Sequence, residues 1–316
     1  MENTPRKKIS IVTPTFNEEG NVAELIRRVQ AILGDFPLYE FEHIFIDNAS
    51  TDKTVETLKA IAQEDRRIKI IVNSRNFGQV RSTNHGLLQA SGDAVVSLLA
   101  DLQDPPEPIR EFLAAWQQGY KIVIGVKQNS DEGRIMRLVR RFYYTLIKRI
   151  ADIDQIRSFH GFGLYDREFM ELFRNLDDPY PYFRGIVSEF GMRRLEVPYI
   201  QARRKSGKTS HNFYTLYDMA MLGFVSHSKV PLRLASFIGF GASVVCFILG
   251  LVYLIYKLLF WSRFQLGLAP LVIGVFFFAS VQLFFIGIIG EYIGAIYTQV
   301  KKRPMVVERE RVNFGA

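Results

Sequence analysis

Apolar and polar positions alternate between two periods over residues 8–126. Short β-type runs at 9–12, 44–46, 68–72, 94–99 and 122–126 are separated by stretches of helical spacing. In residues 21–33 the apolar positions Val22, Leu25, Ile26, Val29, Ile32 and Leu33 share one helical face. Residues 53–62, 79–90 and 106–118 read as further helices. Strands alternating with helices predict an α/β domain, a mainly parallel sheet covered on both faces. Ligands of such sheets bind beyond the carboxyl ends of the strands. Those ends read Pro14-Thr15-Phe16-Asn17-Glu18, Asp47-Asn48-Ala49-Ser50-Thr51-Asp52, Asn73-Ser74-Arg75-Asn76 and Asp101-Leu102-Gln103-Asp104, all polar and two of them acidic.

Farther along, the pattern changes to long uncharged runs. Residues 234–256 and 264–290 carry no charge. A bilayer core needs roughly 20 apolar residues in helix, so each run predicts a span, at about 234–256 and 266–290 within a membrane segment 230–300. The short connection predicts a hairpin. A buried hairpin of a globular protein is the alternative. Lys229 and Arg233 precede the pair and Lys301, Lys302, Arg303, Arg309 and Arg311 follow it, against Lys257 and Arg263 between the runs. That bias predicts a cytoplasmic domain at 1–229 and a cytoplasmic tail at 301–316, short, charged and loose. No signal peptide is read at the amino end.

Two further segments read as interfacial. Residues 134–150 form a basic amphipathic helix with Phe142, Tyr143, Leu146 and Ile147 on one face and Arg137, Arg140 and Arg141 beside it. An ordinary surface helix packed on the core fits the same pattern. Residues 211–229, with Phe213, Tyr214, Tyr217, Met221 and Phe224, feed into the first span. The net charge of +8 suits anionic lipid heads and phosphorylated substrates. No nucleic-acid motif accompanies it, so nucleic acid is not expected as a partner. The single cysteine, Cys246, lies inside a span, which excludes disulfides and thiolate metal sites.

At 101–107 the chain reads Asp-Leu-Gln-Asp-Pro-Pro-Glu. Oxygen ligands two residues apart at a strand end suit Mg²⁺ or Mn²⁺ shared with substrate phosphates, with Asp101 and Gln103 on the metal. Asp104 before two prolines also reads as a helix cap.

With that segment, Val12-Thr13-Pro14-Thr15-Phe16-Asn17-Glu18-Glu19, Asp47-Asn48-Ala49-Ser50-Thr51-Asp52, Ser74-Arg75-Asn76-Phe77-Gly78 and Arg204-Lys205-Ser206-Gly207-Lys208-Thr209, the chain resembles family 2 glycosyltransferases of the polyisoprenyl-phosphate type. Gly287-Ile288-Ile289-Gly290-Glu291-Tyr292-Ile293-Gly294 and Lys302-Arg303-Pro304 add to the likeness, which covers almost the whole chain. The resemblance implies a GT-A fold, a nucleotide-sugar donor, a divalent metal and inverting transfer to polyprenyl phosphate. It places Pro14, Thr15, Asn17, Glu18, Asp47, Arg75, Gly78 and Asp101 at the donor. It places Asp101, Gln103 and Arg204 at the chemistry, and Arg204, Gly207, Lys208, Thr209, Arg137 and Arg141 at the acceptor or diphosphate. UDP is preferred over GDP as donor nucleotide, with GDP-mannose-dependent mannosyl transfer as an alternative. Implied too are a bacterial inner-membrane location, a homo-oligomer, and a flippase or second glycosyltransferase as further partners.

Four positions depart from the family pattern. Asn48 stands where an acidic pair is common, Leu99 where the metal motif often starts with a carboxylate, and Ser210 where a Lys closes the Arg-rich loop. A common Gly-Asp-Phe-Arg-Leu segment appears as His160-Gly161-Phe162-Gly163-Leu164. These departures motivate another reading, a catalytically weakened membrane scaffold for a nucleotide sugar or a partner protein. A processive polysaccharide synthase is disfavoured by having only two spans. His160 is a candidate proton or hydrogen-bond donor near the acceptor, against a plain packed or surface histidine.

Overall fold

The computed structural model describes residues 6–128, 156, 159–176, 178–202, 230–260 and 268–315. The interfacial segments expected at 134–150 and 211–229 lie outside them, as do Arg204, Gly207, Lys208, Thr209 and Ser210.

The first half follows the two periods: β1 (Lys8–Thr15), α1 (Val22–Leu33), β2 (Glu40–Asp47), α2 (Thr54–Glu64), β3 (Ile68–Asn73), α3 (Gln79–Leu88), β4 (Ala94–Ser97), α4 (Ile109–Gln117) and β5 (Ile122–Lys127). Then come β6 (Gly163–Asp166), α5 (Arg167–Asn175), α6 (Phe183–Glu189) and β7 (Arg194–Tyr199), the long helices α7 (Val230–Leu259) and α8 (Leu268–Val300), and β8 (Glu308–Val312). The sheet order is β7-β5-β6-β4-β1-β2-β3-β8. Strands β6 and β8 run antiparallel to their neighbours and the other six share one direction. The carboxyl ends of those six strands therefore meet at one edge.

Alternation along each strand sends side chains to two cores. Ile9, Ile11, Phe45, Ile70, Val96 and Val123 pack with α1, α2 and α4 on one face. Val12, Ile44, Ile46, Ile71, Val95 and Ile124 pack with α3, α5 and α6 on the other. All six apolar positions read as the buried face of α1 are buried. The sheet is doubly covered, so its central strands read as near-continuous apolar runs.

His43 on β2 is a buried histidine outside the site. Its Nε2 shares a 2.9 Å hydrogen bond with Thr13 Oγ1, and its ring lies 4.1 Å from that of Phe45. Burial pushes the ring's pKa down from 6.5 to about 3. Below pH 6.5 the unfolded chain takes up a proton that the folded chain refuses until about pH 3. Stability therefore falls as pH drops through that window, by up to about 1.4 kcal/mol per pH unit, or ~2 kcal/mol at pH 5. Melting curves at pH 7.5 and pH 5 should show that loss, and His43→Gln should flatten it even if it lowers stability at both pH values. An equal slope in the variant removes His43 as its cause.

Helices α7 and α8 contain windows at Leu232–Val252 and Gly274–Val300 with mean hydropathy 2.3 and 1.8, none of it buried. Phe237, Phe240 and Phe276 are 72–75% exposed, which the core hairpin of a globular protein would not leave in water. Two corrections to the sequence reading follow. The residues after α8 are not a loose tail: β8 joins the sheet edge at β3, and Gln299 Nε2 donates to Asp178 Oδ1 at 2.7 Å. The chain thus leaves the domain, passes through both helices and returns to the same sheet. The N-cap of α4 is Pro108, without a side-chain cap bond, and not Asp104. The turn after Asp104 delays the helix, and the Asp104 carboxylate accepts a 2.5 Å bond from the Tyr199 hydroxyl instead.

Candidate active site at the strand ends

The loops after β1 and β2 are zipped together by side chains bonded to backbone. Asn17 Oδ1 accepts from the Thr51 N–H at 2.8 Å, and the Asn17 N–H donates to Ser50 Oγ at 2.9 Å. The Glu18 N–H donates to Thr54 Oγ1 at 2.8 Å, and the Glu18 carboxylate accepts from Asn21 Nδ2 at 2.6 Å. Asp47 is fully buried and accepts from the Ser50 N–H and hydroxyl at 2.9 and 2.5 Å, and from Thr15 Oγ1 at 3.3 Å. Burial pushes its carboxyl above the usual range, against those hydrogen bonds and with help from the Asp52 charge. Asp47 thus holds its loop in shape, and the outward-facing groups here belong to Phe16, Asn17 and Thr51. Pro14 lies inside β1, opposite Ile46.

Asn48 joins this pair to the loop after β3. Its Nδ2 donates to Asn76 Oδ1 at 2.8 Å, while its Oδ1 accepts from the Phe77 N–H at 2.9 Å and Asn73 Nδ2 at 3.2 Å. A carboxylate could make only the accepting half of that pattern. Asn48 therefore has a structural role that a carboxylate would not fill, and sequence reasoning passed over it. Beyond it, Arg75 is exposed, its guanidinium 4.1 Å above the Phe77 ring, and Gly78 opens α3 at φ 88°, a conformation that favours glycine.

The fourth loop follows β4. Burial alternates across it: Asp101 and Gln103 are half-exposed, and Leu102 and Asp104 are buried. Asp101 Oδ1 accepts from the Gln103 N–H at 3.1 Å. Asp104 is pushed up by burial, in spite of the Tyr199 hydroxyl and the Lys127 charge, and burial with the Asp104 charge pushes the Tyr199 phenol well above its usual value. Tyr199 and the Ala202 N–H, which donates to the Gln103 carbonyl at 2.9 Å, dock the end of β7 against this loop. Neither contact was visible in the sequence, although a strand-end tyrosine five residues before Arg204 is in hindsight its signal.

Asn17, Ala49 and Leu102 have φ of 56°, 63° and 56°, in the left-handed region unusual for side-chain-bearing residues. One falls in each of three strand-end loops, and such backbone strain concentrates at functional sites. The structure thus gathers Thr15, Asn17, Glu18 and Asp47, sets Arg75 and Gly78 beside them through Asn48, and puts Asp101 and Gln103 on the same edge. Arg137, Arg141, Arg204, Gly207, Lys208 and Thr209 lie outside the described residues. His160 is exposed, with Nδ1 3.4 Å from Arg184 Nη1. At Gly163 a Cβ would lie 2.6 Å from the Val123 carbonyl, so the Arg common there in the family pattern does not fit this backbone.

No group of three or more His, Cys, Asp or Glu residues forms a metal cage among the described residues. Asp101 and Gln103 offer one carboxylate and one amide, half-exposed and side by side. That set fits a hard cation such as Mg²⁺, which typically takes one or two carboxylates and fills its sphere with substrate phosphate and water. A cavity of about 250 Å³ lies elsewhere, between Phe173, Arg174 and Pro181 and the turn at 302–305, and none of the strand-end residues lines it.

Residues 10–173 match the family model of glycosyl transferase family 2, and residues 230–296 match that of the GtrB C-terminal hairpin. The uncharacterized glycosyltransferase YkcC of Bacillus subtilis (strain 168) is 33% identical over 299 residues, 94% of this chain and 92% of the relative. The SfII prophage-derived bactoprenol glucosyl transferase of Shigella flexneri is 34% identical over 301 residues, 95% of this chain and 97% of the relative. A glucosyl-3-phosphoglycerate synthase from Mycobacterium tuberculosis, solved with Mn²⁺, UDP and glucosyl-3-phosphoglycerate, overlays with a TM-score of 0.47 at 20% identity, covering 68% of this chain and 76% of that one.

Proposed function

The chain belongs to glycosyl transferase family 2, and from that premise we propose that it moves a sugar from a UDP-sugar to a polyprenyl phosphate in the membrane, with inversion. The observation that carries the reading is one edge of one sheet: the polar loops at 15–19, 47–54, 73–78 and 101–104 meet there, three of them with a side-chain-bearing residue at positive φ, in a chain that continues into two membrane-length helices. The relatedness to a bactoprenol glucosyl transferase over 95% of the chain supports a polyprenyl acceptor. Two of the departing residues, Asn48 and Gly163, each satisfy a specific local requirement of the fold, which supports an active enzyme over an inactive scaffold.

In this reading the loops at 15–19 and 47–54 form the wall against which the nucleotide rests, with Pro14, Thr15 and Asp47 supporting it from behind and Asn17 and Glu18 at its rim. Arg75 and Gly78 flank the donor from the β3 side. Asp101 and Gln103 hold a divalent cation, Mg²⁺ or Mn²⁺, which when bound offsets negative charge on the diphosphate leaving group. Arg204, Gly207, Lys208 and Thr209 close over the phosphates. The acceptor phosphate has a second pKa near ~6, so it is largely dianionic at neutral pH and needs no general base. Its oxygen forms a bond to the anomeric carbon as the bond from that carbon to the diphosphate breaks, and the electron pair leaves with the nucleoside diphosphate.

That β8 rejoins the sheet supports having both ends of the hairpin on the catalytic side. Lys301, Lys302 and Arg303 directly follow α8, and by the positive-inside bias that side is the cytoplasm, with the hairpin in a bacterial inner membrane. The segments at 134–150, through Arg137 and Arg141, and at 211–229 rest on the headgroups. A homo-oligomer, and a flippase or second glycosyltransferase acting on the lipid product, complete the expected partners.

The test is transfer by the purified full chain in detergent with undecaprenyl phosphate, Mg²⁺ or Mn²⁺, and labelled UDP-glucose, UDP-N-acetylglucosamine or GDP-mannose. Label from a UDP-sugar should enter the organic phase in an alkali-stable, acid-labile form, and the productive donor should raise the melting temperature. Label from GDP-mannose alone overturns the nucleotide assignment. Donor hydrolysis without lipid product overturns the acceptor.

A further inference from the structure

We propose that the C-terminal strand β8 is a positioning element of the donor site, so that the site is complete only when the chain has passed through both apolar helices and returned to the sheet. This rests on the reading of loop 74–78 as part of the donor site.

Residues 307–311 hold the first residue of that loop and the helix that follows it. The Val307 carbonyl accepts from the Ser74 N–H at 2.8 Å, at the first loop residue. The Glu308 carboxylate lies 2.5 Å from His85 Nε2 on α3, the helix that begins right after Gly78. Arg311 pairs with Glu308, and its Nη2 donates to Gln89 Oε1 at 2.9 Å near the end of α3. The register between β3 and β8 shifts between Val72 and Asn73, where the loop departs. A shift of this kind re-aims the chain at the point where pairing ends. Inside the grip, Asn73 passes the constraint on through Asn48 to the Phe77 N–H and Asn76. A continuous set of hydrogen bonds thus runs from the residues that follow α8 to the loop carrying Arg75 and Gly78.

A strand that merely covers a sheet edge has no need of this. Its contacts would be spread evenly, as Lys59 with Glu310 at 2.7 Å and Asn313 Nδ2 with the Ala62 carbonyl at 2.8 Å are, far from the loop. The Glu308 group differs in being more buried, 19% exposed against 40% for Glu310, in having two side-chain partners, His85 and Arg311, and in lying at the junction of β3, the loop and α3.

Three forms of the full chain separate the two roles: Glu308→Ala, Glu308→Gln and Lys59→Ala. UDP with Mg²⁺ is the titrated probe, and amide exchange at 74–78 is read without ligand. Losing a charged, partly buried hydrogen-bonded pair should weaken UDP binding about tenfold in Glu308→Ala and speed exchange at Ser74 and Phe77. Glu308→Gln keeps an acceptor for His85 and should recover most of the affinity. Lys59→Ala should match the unmodified chain, and the KM for polyprenyl phosphate should stay the same in all forms. Equal UDP affinity in Glu308→Ala and Lys59→Ala, or unchanged exchange at 74–78, overturns the role of the strand and leaves the donor reading intact. An unmodified chain that holds no UDP overturns the donor reading, and this one with it.

Discussion

Asp101→Asn should reduce transfer at least ~100-fold while leaving the melting temperature within a degree or two, the scale of losing one preorganised charge-stabilising group at a reacting centre. The reason lies in how residues 101–104 are built. Leu102, at φ 56° and 4% exposed, anchors the turn in the core. Its neighbours Asp101 and Gln103 are left half-exposed at the strand-end edge. Asp104 is no substitute, because it is buried, holds the Tyr199 hydroxyl, and is pushed towards its neutral form by burial. Asparagine keeps the size of Asp101 and an acceptor oxygen for the Gln103 N–H, so the turn survives while the charge that would hold a cation is gone. Initial rates of lipid-linked product across a Mg²⁺ and Mn²⁺ titration provide the check. Normal turnover at saturating metal would place the cation elsewhere.

What the sequence made legible, and what it hid, follows from how each element is stabilised. Strands β1 to β5 announce themselves because both faces of the sheet are buried, and α1 and α4 because each buries an apolar stripe; α3 buries Ser82, Asn84 and Gly86 beside Leu87 and shows no such stripe. Helices α7 and α8 are legible from length alone. Strand β8, Glu-Arg-Glu-Arg-Val, carries four charges in five residues and reads as a solvated tail. Its strand character is supplied from outside, by the open edge of β3 and by Lys59 and His85, which take up its carboxylates. Strand β7 contains Pro198, which argues against a central strand, and it is found at the sheet edge where a missing N–H costs little. Strand β6 is four residues long and runs straight into α5, capped by Asp166, so no turn signal separates them.

Within the site, the residues that face outward were the readable ones. Arg75, Asp101 and Gln103 are exposed or half-exposed polar groups at strand ends, and Asn17 is exposed beside them while also bonding the Thr51 N–H. The supporting groups were not readable, because their partners come from other loops. Asn48 looked like a missing carboxylate until its amide was found donating to Asn76 while accepting from Phe77 and Asn73. Asp104 looked like a helix cap because the nearest sequence partner was a helix. Its actual partner, Tyr199, is 95 residues away. Such pairings are set by sheet order, with β5 and β6 between β7 and β4, and local spacing carries no trace of them.

The same docking of β7 governs the second large effect, at Arg204. That side chain is outside the described residues, yet the chain leading to it is fixed: the Ala202 N–H donates to the Gln103 carbonyl at 2.9 Å. Two residues of extended chain span at most about 7 Å, so the Arg204 Cα stays within that distance of the Ala202 Cα, which is itself tied to the loop of Asp101. In the proposed reaction an arginine there would serve a donor diphosphate and an acceptor phosphate, two anions that must approach each other. Its planar fork can bind phosphate oxygens in pairs, where a lysine offers a single point charge. Arg204→Lys should therefore lower kcat ~10-fold or more and Arg204→Ala ~100-fold or more, because the fork stabilises charge that develops on the leaving diphosphate. The same changes at Arg66, exposed in the turn before β3, serve as the control and should leave kcat within twofold. If Arg204→Lys retains the unmodified kcat with only a raised KM for the lipid, the guanidinium binds the acceptor in its ground state and contributes nothing specific to the transition state. If both constants are unchanged, Arg204 lies outside the site, and the docking of Ala202 on Gln103 shapes the metal-holding turn alone.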